Sequence, residues 1–308
     1  MEPKPNSDIQ VVDKRRLHDA DDAVSRRSVP RGRRAHSVLL GYCQEDQTRA
    51  LLQDHGLDQT TCEELMEKRE RARSRIQKLP ALDDRKPAAR PLTDKDGLPH
   101  VKRTLDQPEC KAAFPEDTWA PVLVEIARIT PLQPNLDVEY AEGLGDTTLD
   151  PANPAAAVKL CFASRHTTGF DVRAEESQKA LSVTGVHPSL EVVGLQYSQQ
   201  GGNGMVLVSF MISPPPNIAA VTHDAGRYFL LNGYHRVYRL MLAGFTRVPC
   251  MVRDGAPYGR GFFPEEVLGA PRPPLLPDFA DPALGIIVPF RAVKRVVRIR
   301  PDEYSVPE

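Results

Sequence analysis

The 308-residue sequence lacks the marks of several protein classes. Its five cysteines are odd in number and scattered and form no CxxC pair, which argues against a disulfide framework or a zinc site and favours a reducing compartment. No apolar run approaches the ~20 residues that a membrane helix needs. The polar start, MEPKPNSDIQ, lacks the apolar centre of a signal peptide. We therefore expect a cytoplasmic protein without a membrane segment.

The sequence also lacks an excess of positive or negative charge. The net charge is −1, so the whole chain is no polycation, and any anion site must be local. No Ser-His-Asp, HExxH or Walker pattern is present, and the adjacent His223 and Asp224 are interpreted as part of a turn. What is present is an apolar fraction of 41%, enough for a packed core, and 29 prolines, which predict short elements and long irregular segments.

The first third of the chain is polar. Residues 1–37 end in the basic run SRRSVPRGRRAHS and predict a disordered basic arm, which is either a solvated tail or a contact for nucleic acid or an acidic protein. Residues 38–118 predict a helical extension followed by a linker over 81–118. The polar helix TTCEELMEKRERARSRIQKL opens with a capping box at Thr60 or Thr61. It presents either a solvated face or a surface for a protein partner.

An α/β domain is expected over residues 119–255. Its predicted strands are Val122–Ile126, AVKLCFAS, LEVVGLQYS and MVLVSFMIS, with a hairpin turn at QQGGNG and a short helix from Asp137. A proline-rich C-terminal extension, 256–308, ends in the edge-strand pattern RAVKRVVRIRP. The expected fold class is thus α/β (α+β), a mixed sheet with flanking helices between a helical N-terminal and a proline-rich C-terminal extension.

The stretch YFLLNGYHRVYRLMLAGFTRVPCMV is the most informative part of the sequence. It predicts a buried strand at Tyr228–Leu231, a sharp turn at Gly233 and a helix over Tyr234–Ala243. Gly244 is expected to end that helix. A second strand at Val248–Val252 follows, and we expect the two strands to be neighbours in one sheet.

The first turn of this helix predicts an anion site. Its free N–H groups carry partial positive charge, Arg236 adds a planar fork suited to phosphate, His235 adds a donor, and Arg239 lies one turn further on. Residue chemistry alone leaves a second interpretation open. In that interpretation His235 caps a backbone carbonyl, and Arg236 holds a core carboxylate such as Glu125 or Asp254.

The sequence GYHR, followed by an amphipathic helix, an Ala-Gly break and RVPCMV, resembles the signature of the ParB/sulfiredoxin superfamily. VLVEIARITPLQPNLD resembles the opening strand and turn of that superfamily. The resemblance covers residues 120–255. It implies a ParB-like nucleotide-binding domain of a bacterial, DNA-associated or related protein, with CTP or ATP and Mg²⁺ as ligands. The phosphates would be bound by Gly233, Tyr234, His235 and Arg236.

Several departures from the superfamily pattern narrow what it implies. Sulfiredoxins carry a catalytic cysteine directly before the His-Arg pair, and Tyr234 occupies that position, so sulfinic-acid reduction is not implied. Gln133, Asn135 and Asp137 stand where partitioning proteins have an Asn-Pro-Arg box. No helix-turn-helix pattern follows Val252, so sequence-specific DNA reading is not implied either.

Two functional hypotheses follow. In the first, the domain binds a nucleotide or other phosphate, with hydrolysis or phosphotransfer through Mg²⁺ that bridges phosphate and carboxylate. Expected acidic or polar lining residues are Gln133, Asp137, Glu139 and Asp254; spacing does not choose a metal ligand or base among the acids. In the second, the fold serves as a non-catalytic interaction or scaffold module for protein or nucleic-acid partners.

Overall fold

The fold is known from a computed structural model. It describes residues 33–83, 88–144, 149–163, 170–175, 180–185, 191–200, 205–213, 216–256, 262–291 and 295–299. The helices are α1 Glu45–Asp54, α2 Gln59–Ile76, α3 Leu98–Leu105, α4 Pro108–Ala113, α5 Val138–Glu142, α6 Pro154–Cys161, α7 Tyr234–Leu242 and α8 Glu265–Leu268. The strands are β1 Arg33–Val38, β2 Ala89–Pro91, β3 Ala120–Glu125, β4 Ile129–Pro131, β5 Asn135–Asp137, β6 Phe170–Glu175, β7 Ala180–Gly185, β8 Glu191–Gln200, β9 Met205–Ser213, β10 Ala220–Asp224, β11 Arg227–Asn232, β12 Arg247–Asp254, β13 Ile286–Arg291 and β14 Arg295–Ile299. The mixed α/β class predicted from sequence is confirmed.

A six-stranded mixed sheet carries the stretch that the sequence singled out. Its order is β2-β3-β12-β10-β11-β4. Strand β10 pairs parallel with β12 and antiparallel with β11, and β11 pairs parallel with β4. The prediction that the strands before and after α7 are neighbours was therefore wrong. Strand β10 lies between them, because a two-residue turn at Ala225 and Gly226 folds it back onto β11.

A second, three-stranded sheet has the order β13-β1-β5. It corrects the boundary of the predicted disordered arm, since residues 33–37 belong to the central strand β1. Ala35 and Ser37 are buried there, because β1 has a partner strand on each side. Strand β13 comes from the predicted C-terminal extension, so that extension completes this sheet. Residues 1–32 of the predicted arm lie outside the described residues.

The main core lies between the six-stranded sheet and helices α6 and α7. Helix α7 buries Val237 and Leu240 on one face. Helix α6 corrects the prediction of a strand at AVKLCFAS. Pro154 stands at its start and alanines follow, and Ala157, Val158 and Cys161 face the core with a helical spacing that the apolar run had disguised.

The predicted linker over residues 81–118 was also wrong in part. It contains β2, α3 and α4, and β2 pairs with β3 of the main sheet. A bidentate pair fixes this segment: Arg90 donates to both carboxylate oxygens of Asp96, at 2.7 and 2.8 Å. Asp96 also accepts from the backbone N–H and hydroxyl of Thr93. Such local ties order a chain whose composition resembles a linker.

Several other predicted elements are present in the structure. Helices α1 and α2 are confirmed, although Asp58 caps α2 by accepting from the Thr61 N–H at 2.9 Å, in place of the predicted cap at Thr60 or Thr61. Strands β8 and β9 form the predicted antiparallel hairpin. The predicted C-terminal edge strand is β14, at one edge of a sheet with the order β14-β7-β6 that forms a separate, smaller compact unit. None of the helices in the described ranges is long and apolar enough to cross a membrane.

Candidate anion site at the start of helix α7

Gly233 makes the sharp turn from β11 into α7. Its φ of +95° is a left-handed value that favours glycine, and a Cβ there would lie 3.0 Å from the Cα of Ala219. Asn232 accepts from the Gly233 N–H at 2.8 Å and donates to the carbonyl of Ile218 at 3.1 Å. No side chain among the described residues caps α7. We call residues 233–236 the α7 turn.

Tyr234 is part of the core. Its hydroxyl donates to the carbonyl of Leu230 at 2.5 Å and accepts from the N–H of Leu132 at 3.0 Å. Burial raises the pKa of Tyr234 well above its ordinary range. The hydroxyl thus ties the end of β11 to the segment after β4. Tyr234 supports the α7 turn from the core side. Because its hydroxyl is engaged, the phosphate contact predicted for Tyr234 would have to use its backbone N–H.

His235 is locked as a neutral donor. Its Nε2 accepts a hydrogen bond from the backbone N–H of Asp137 at 3.2 Å, so the ring proton must be on Nδ1. Burial lowers the pKa of His235 to about 4, and the nearby Asp137 only partly offsets this. The rings of Tyr140 and His235 form a T-shaped pair, with the centroids 4.9 Å apart. The imidazole therefore keeps one N–H to offer at neutral pH.

Arg236 is 5% exposed. Its Nη1 donates to the carbonyls of Asn217 and, at 3.3 Å, Cys161. Its Nη2 lies beside the α7 turn, 3.3 Å from where a Cβ on Gly233 would be. No carboxylate in the described part of the chain pairs with it, and burial lowers its pKa. The alternative partners that the sequence suggested are engaged elsewhere, since Glu125 binds Arg247 and Asp254 binds His223.

Asp137 and its neighbours were brought to α7 by the second sheet. Asp137 caps α5 by accepting from the Tyr140 N–H at 2.9 Å, and its other oxygen accepts from Arg34 at 3.3 Å. The imidazole of His36 lies 3.9 Å from that oxygen, because His36 stands opposite Asp137 in the β1–β5 register. Burial lowers the pKa of His36. Sequence spacing gave no sign of Arg34 or His36, since 103 positions separate Arg34 from Asp137. Tyr140 lies next to Asp137 in sequence, but its contact with His235 depends on how α5 packs against α7.

The remaining predicted lining residues divide between two places. Gln133 donates to the carbonyl of Asn135 at 3.0 Å, and Glu139 accepts from the Ala35 N–H at 3.2 Å, so both stabilise the β5–α5 region. Arg239 donates to the carbonyl of Leu144 at 3.3 Å, which ties α7 to the end of α5. Asp254 was wrongly placed in the lining.

Asp254 lies at the other end of the main sheet. It stands opposite His223 in the register of β12 and β10, whereas Asn232, just before the α7 turn, stands opposite Ala220. Asp254 is near α7 along the chain, but the fold places it away from the α7 turn. Within the described residues, no group of three His, Cys, Asp or Glu side chains is placed to hold a metal ion.

Comparison of the chain with protein-family models, curated proteins and solved structures gave no match. The ParB/sulfiredoxin-like fold inferred from the GYHR stretch therefore stays a prediction.

Proposed function

We propose that the α7 turn binds the phosphate of a nucleotide or similar ligand, as the resemblance to ParB/sulfiredoxin-like proteins implies. The observation that carries the proposal is the state of Arg236. Arg236 as a whole residue is 5% exposed, its guanidinium is bonded to carbonyls, and no carboxylate of the described chain balances its charge. Burying an unbalanced charge is costly, so an anion at this place would be stabilised strongly.

The surroundings of Arg236 favour the same ligand. The uncapped N-terminus of α7 adds partial positive charge and unpaired N–H groups. His235 adds the Nδ1 proton that its hydrogen bond with the Asp137 N–H leaves free. Because Nη1 of Arg236 is held by carbonyls, Nη2 is set beside Gly233 before any ligand arrives. Fixed donors of this kind bind phosphate at little cost in ordering.

Magnesium would arrive with a nucleotide and be held mostly by its phosphates and water. Asp137 is the carboxylate that lies against His235, but its oxygens already accept from Arg34 and cap α5, so we assign no protein ligand to such an ion. We assign no catalytic residue, and hydrolysis or phosphotransfer stays a hypothesis attached to this ligand.

A second candidate is a scaffold or interaction module without a ligand. It is favoured by the same hydrogen bonds of Arg236, which tie α7 to the end of α6 and to the segment before β10. Tyr234 joins β4 and β11 in a similar way. In this case the polar residues of the GYHR stretch exist to stabilise the fold.

Titration of the full chain with ATP, CTP, GTP and inorganic tripolyphosphate, each with Mg²⁺, separates the two candidates. A ligand at 100 times its Kd stabilises the folded state by about 2.7 kcal/mol, which a melting curve detects. Amide hydrogen exchange locates the site: the N–H groups of Tyr234, His235 and Arg236 should gain protection. The first turn of α1 is the internal control and should not change. No stabilisation by any of the four probes would leave the scaffold module.

A further inference from the structure

Tyr140 is an exposed aromatic residue beside the α7 turn. Its exposed fraction is 42%, and in the described ranges only Leu242 and Ile287 are comparable large apolar side chains. The tyrosines Tyr42 and Tyr234, by contrast, are buried and hydrogen-bonded through their hydroxyls. The hydroxyl of Tyr140 makes no hydrogen bond to the described residues. Packing among the described residues therefore does not account for the outer part of this ring.

The position of the ring links it to the proposed phosphate donors. Its centroid is 4.9 Å from that of His235, and the two planes are nearly perpendicular, at 88°. In a T-shaped pair the edge of one ring meets the face of the other, so His235 covers at most one face of the Tyr140 ring. The backbone N–H of Tyr140 is held by the carboxylate of Asp137, so the start of α5 is fixed next to α7. The ring is thus anchored on one side and open on the other.

We infer that Tyr140 stacks on the base of a nucleotide whose phosphates bind at the α7 turn. This inference rests on the proposed phosphate site and names the class of its ligand as a nucleoside phosphate, in preference to free phosphate or a sugar phosphate. Flat bases gain about 1–3 kcal/mol per stacking contact with an aromatic side chain, and every base has a face that can stack. The ring itself therefore supplies affinity with little preference among bases.

Arg34 and Asp137 are placed to contact the edge of such a base or its ribose. The side chain of Arg34 is 46% exposed and its Nη1 is 3.3 Å from the carboxylate of Asp137, which belongs to the same turn as Tyr140. A guanidinium and a carboxylate offer donors and acceptors together, which flat polar ligands require. This pair lies on β1 and β5, so the second sheet would supply the base side of the site and the main sheet the phosphate side.

The experiment compares Tyr140→Ala with Leu242→Ala in the full chain. Leu242 lies on α7 with the same exposed fraction, 42%, so it controls for loss of an exposed apolar side chain. Calorimetric titration with ATP, CTP and tripolyphosphate gives the affinities. We expect Tyr140→Ala to weaken both nucleotides about tenfold, the size of a stacking contact, and to leave tripolyphosphate unchanged. Tyr140→Trp should restore nucleotide binding, and Leu242→Ala should match the parent.

Three outcomes would overturn the inference, and they can be told apart. If the parent binds nucleotides and tripolyphosphate, and Tyr140→Ala binds both as the parent does, the phosphate site stands and the stacking role is wrong. If the parent binds none of the three probes, the proposed function fails and the inference fails with it. Melting curves of both variants confirm that they are folded, and an equal loss of nucleotide and tripolyphosphate affinity in Tyr140→Ala would also count against stacking.

Discussion

The two ends of strand β11 hold similar residue types in different states. Where β11 leads into α7, His235 accepts from a backbone N–H and Arg236 donates to backbone carbonyls, and both side chains are largely buried. Beside the start of β11, His223 of β10 pairs with Asp254 of β12 at 2.9 Å, and the Asp254 side chain is 91% exposed. One end fixes its polar side chains with backbone groups, while the other pairs two side chains in water.

This difference shows which end is suited to hold a ligand. Groups fixed by the backbone keep their positions when the ligand is absent, so binding need not order them. A largely exposed side-chain pair such as His223 and Asp254 is surrounded by water and loosely held. From the sequence, His223 and its neighbour Asp224 were interpreted as part of a turn, and Asp254 was assigned to the phosphate site. In the structure His223 pairs with Asp254.

The largest expected effect is a loss of folding stability at acid pH, caused by His235 at the buried end of β11. Burial lowers the pKa of His235 to about 4, whereas an unfolded histidine titrates near 6.5. Above pH 6.5 both states are neutral and stability is unaffected. As the pH falls from 6.5 towards 4, the unfolded state takes up the proton first, so stability is lost, by about 3 kcal/mol at pH 4. Chemical unfolding from pH 8 to pH 4 measures this loss.

His235→Gln isolates the contribution of this residue. Glutamine retains an oxygen that can accept from the Asp137 N–H but does not titrate. The free energy of unfolding of the variant should therefore fall less between pH 6.5 and pH 4 than that of the parent. Ionisable groups that do not interact with His235 contribute equally to both proteins and cancel in the difference, whereas Asp137 and His36 interact with it and leave a smaller residual. Parallel curves for parent and variant over this pH range would show that His235 is not held neutral, and the contrast between the two ends would lose its main support.

The next effect concerns Arg236. Arg236→Ala leaves a cavity and removes the donor to the carbonyl of Asn217, while the carbonyl of Cys161 keeps the Ala219 N–H at 3.0 Å; we expect this to cost about 2 kcal/mol after the relief of a buried charge. Arg236→Met keeps most of the volume and removes the charge, so it should cost less. Both variants should lose phosphate binding. Asp254→Asn, at the exposed end, should hardly change the midpoint of urea unfolding.

The order of these variants is the informative result. If Arg236→Met is as unstable as Arg236→Ala, the carbonyl bonds outweigh the buried charge and Arg236 is chiefly a structural clamp. If Asp254→Asn is as damaging as either of them, the two ends of β11 do not differ in the way the geometry indicates.

How much the sequence predicted depends on the range of the interactions involved. The turn at Gly233 and helix α7 follow from local rules: a glycine that tolerates positive φ, and apolar residues at helical spacing. The end of α7 was also predicted, since Gly244 has a φ of +89° and the Phe245 N–H reaches back to the Leu240 carbonyl at 3.0 Å. These features need only neighbours along the chain.

What could not be predicted came from distant segments. No property of residues 228–252 reveals that β10 separates β11 from β12, or that β1 brings Arg34 and His36 to Asp137. The partners of Arg236 are backbone carbonyls, which every residue has, so no residue type could have identified them. Helix α6 was missed for a local reason: its apolar run is too short for periodicity alone to separate helix from strand.

The smallest expected effect comes from changes in the turn at the start of β11. Ala225 and Gly226 connect β10 to β11 with φ values of +48° and +81°, and Ala225 is the one non-glycine residue with positive φ in the described ranges. Two-residue hairpin turns of this kind favour Asn-Gly, because asparagine tolerates the left-handed region better than alanine. Ala225→Asn should therefore stabilise the protein by about 0.5–1 kcal/mol, and Ala225→Val should destabilise it, since β-branched residues are strained at positive φ. Neither change should alter phosphate binding at the α7 turn, because the two sites lie at opposite ends of β11. Unfolding midpoints and a tripolyphosphate titration on both variants check the two statements together. A shift in affinity as large as the shift in stability would mean that the ends of β11 are coupled, and the contrast drawn between them would have to be given up.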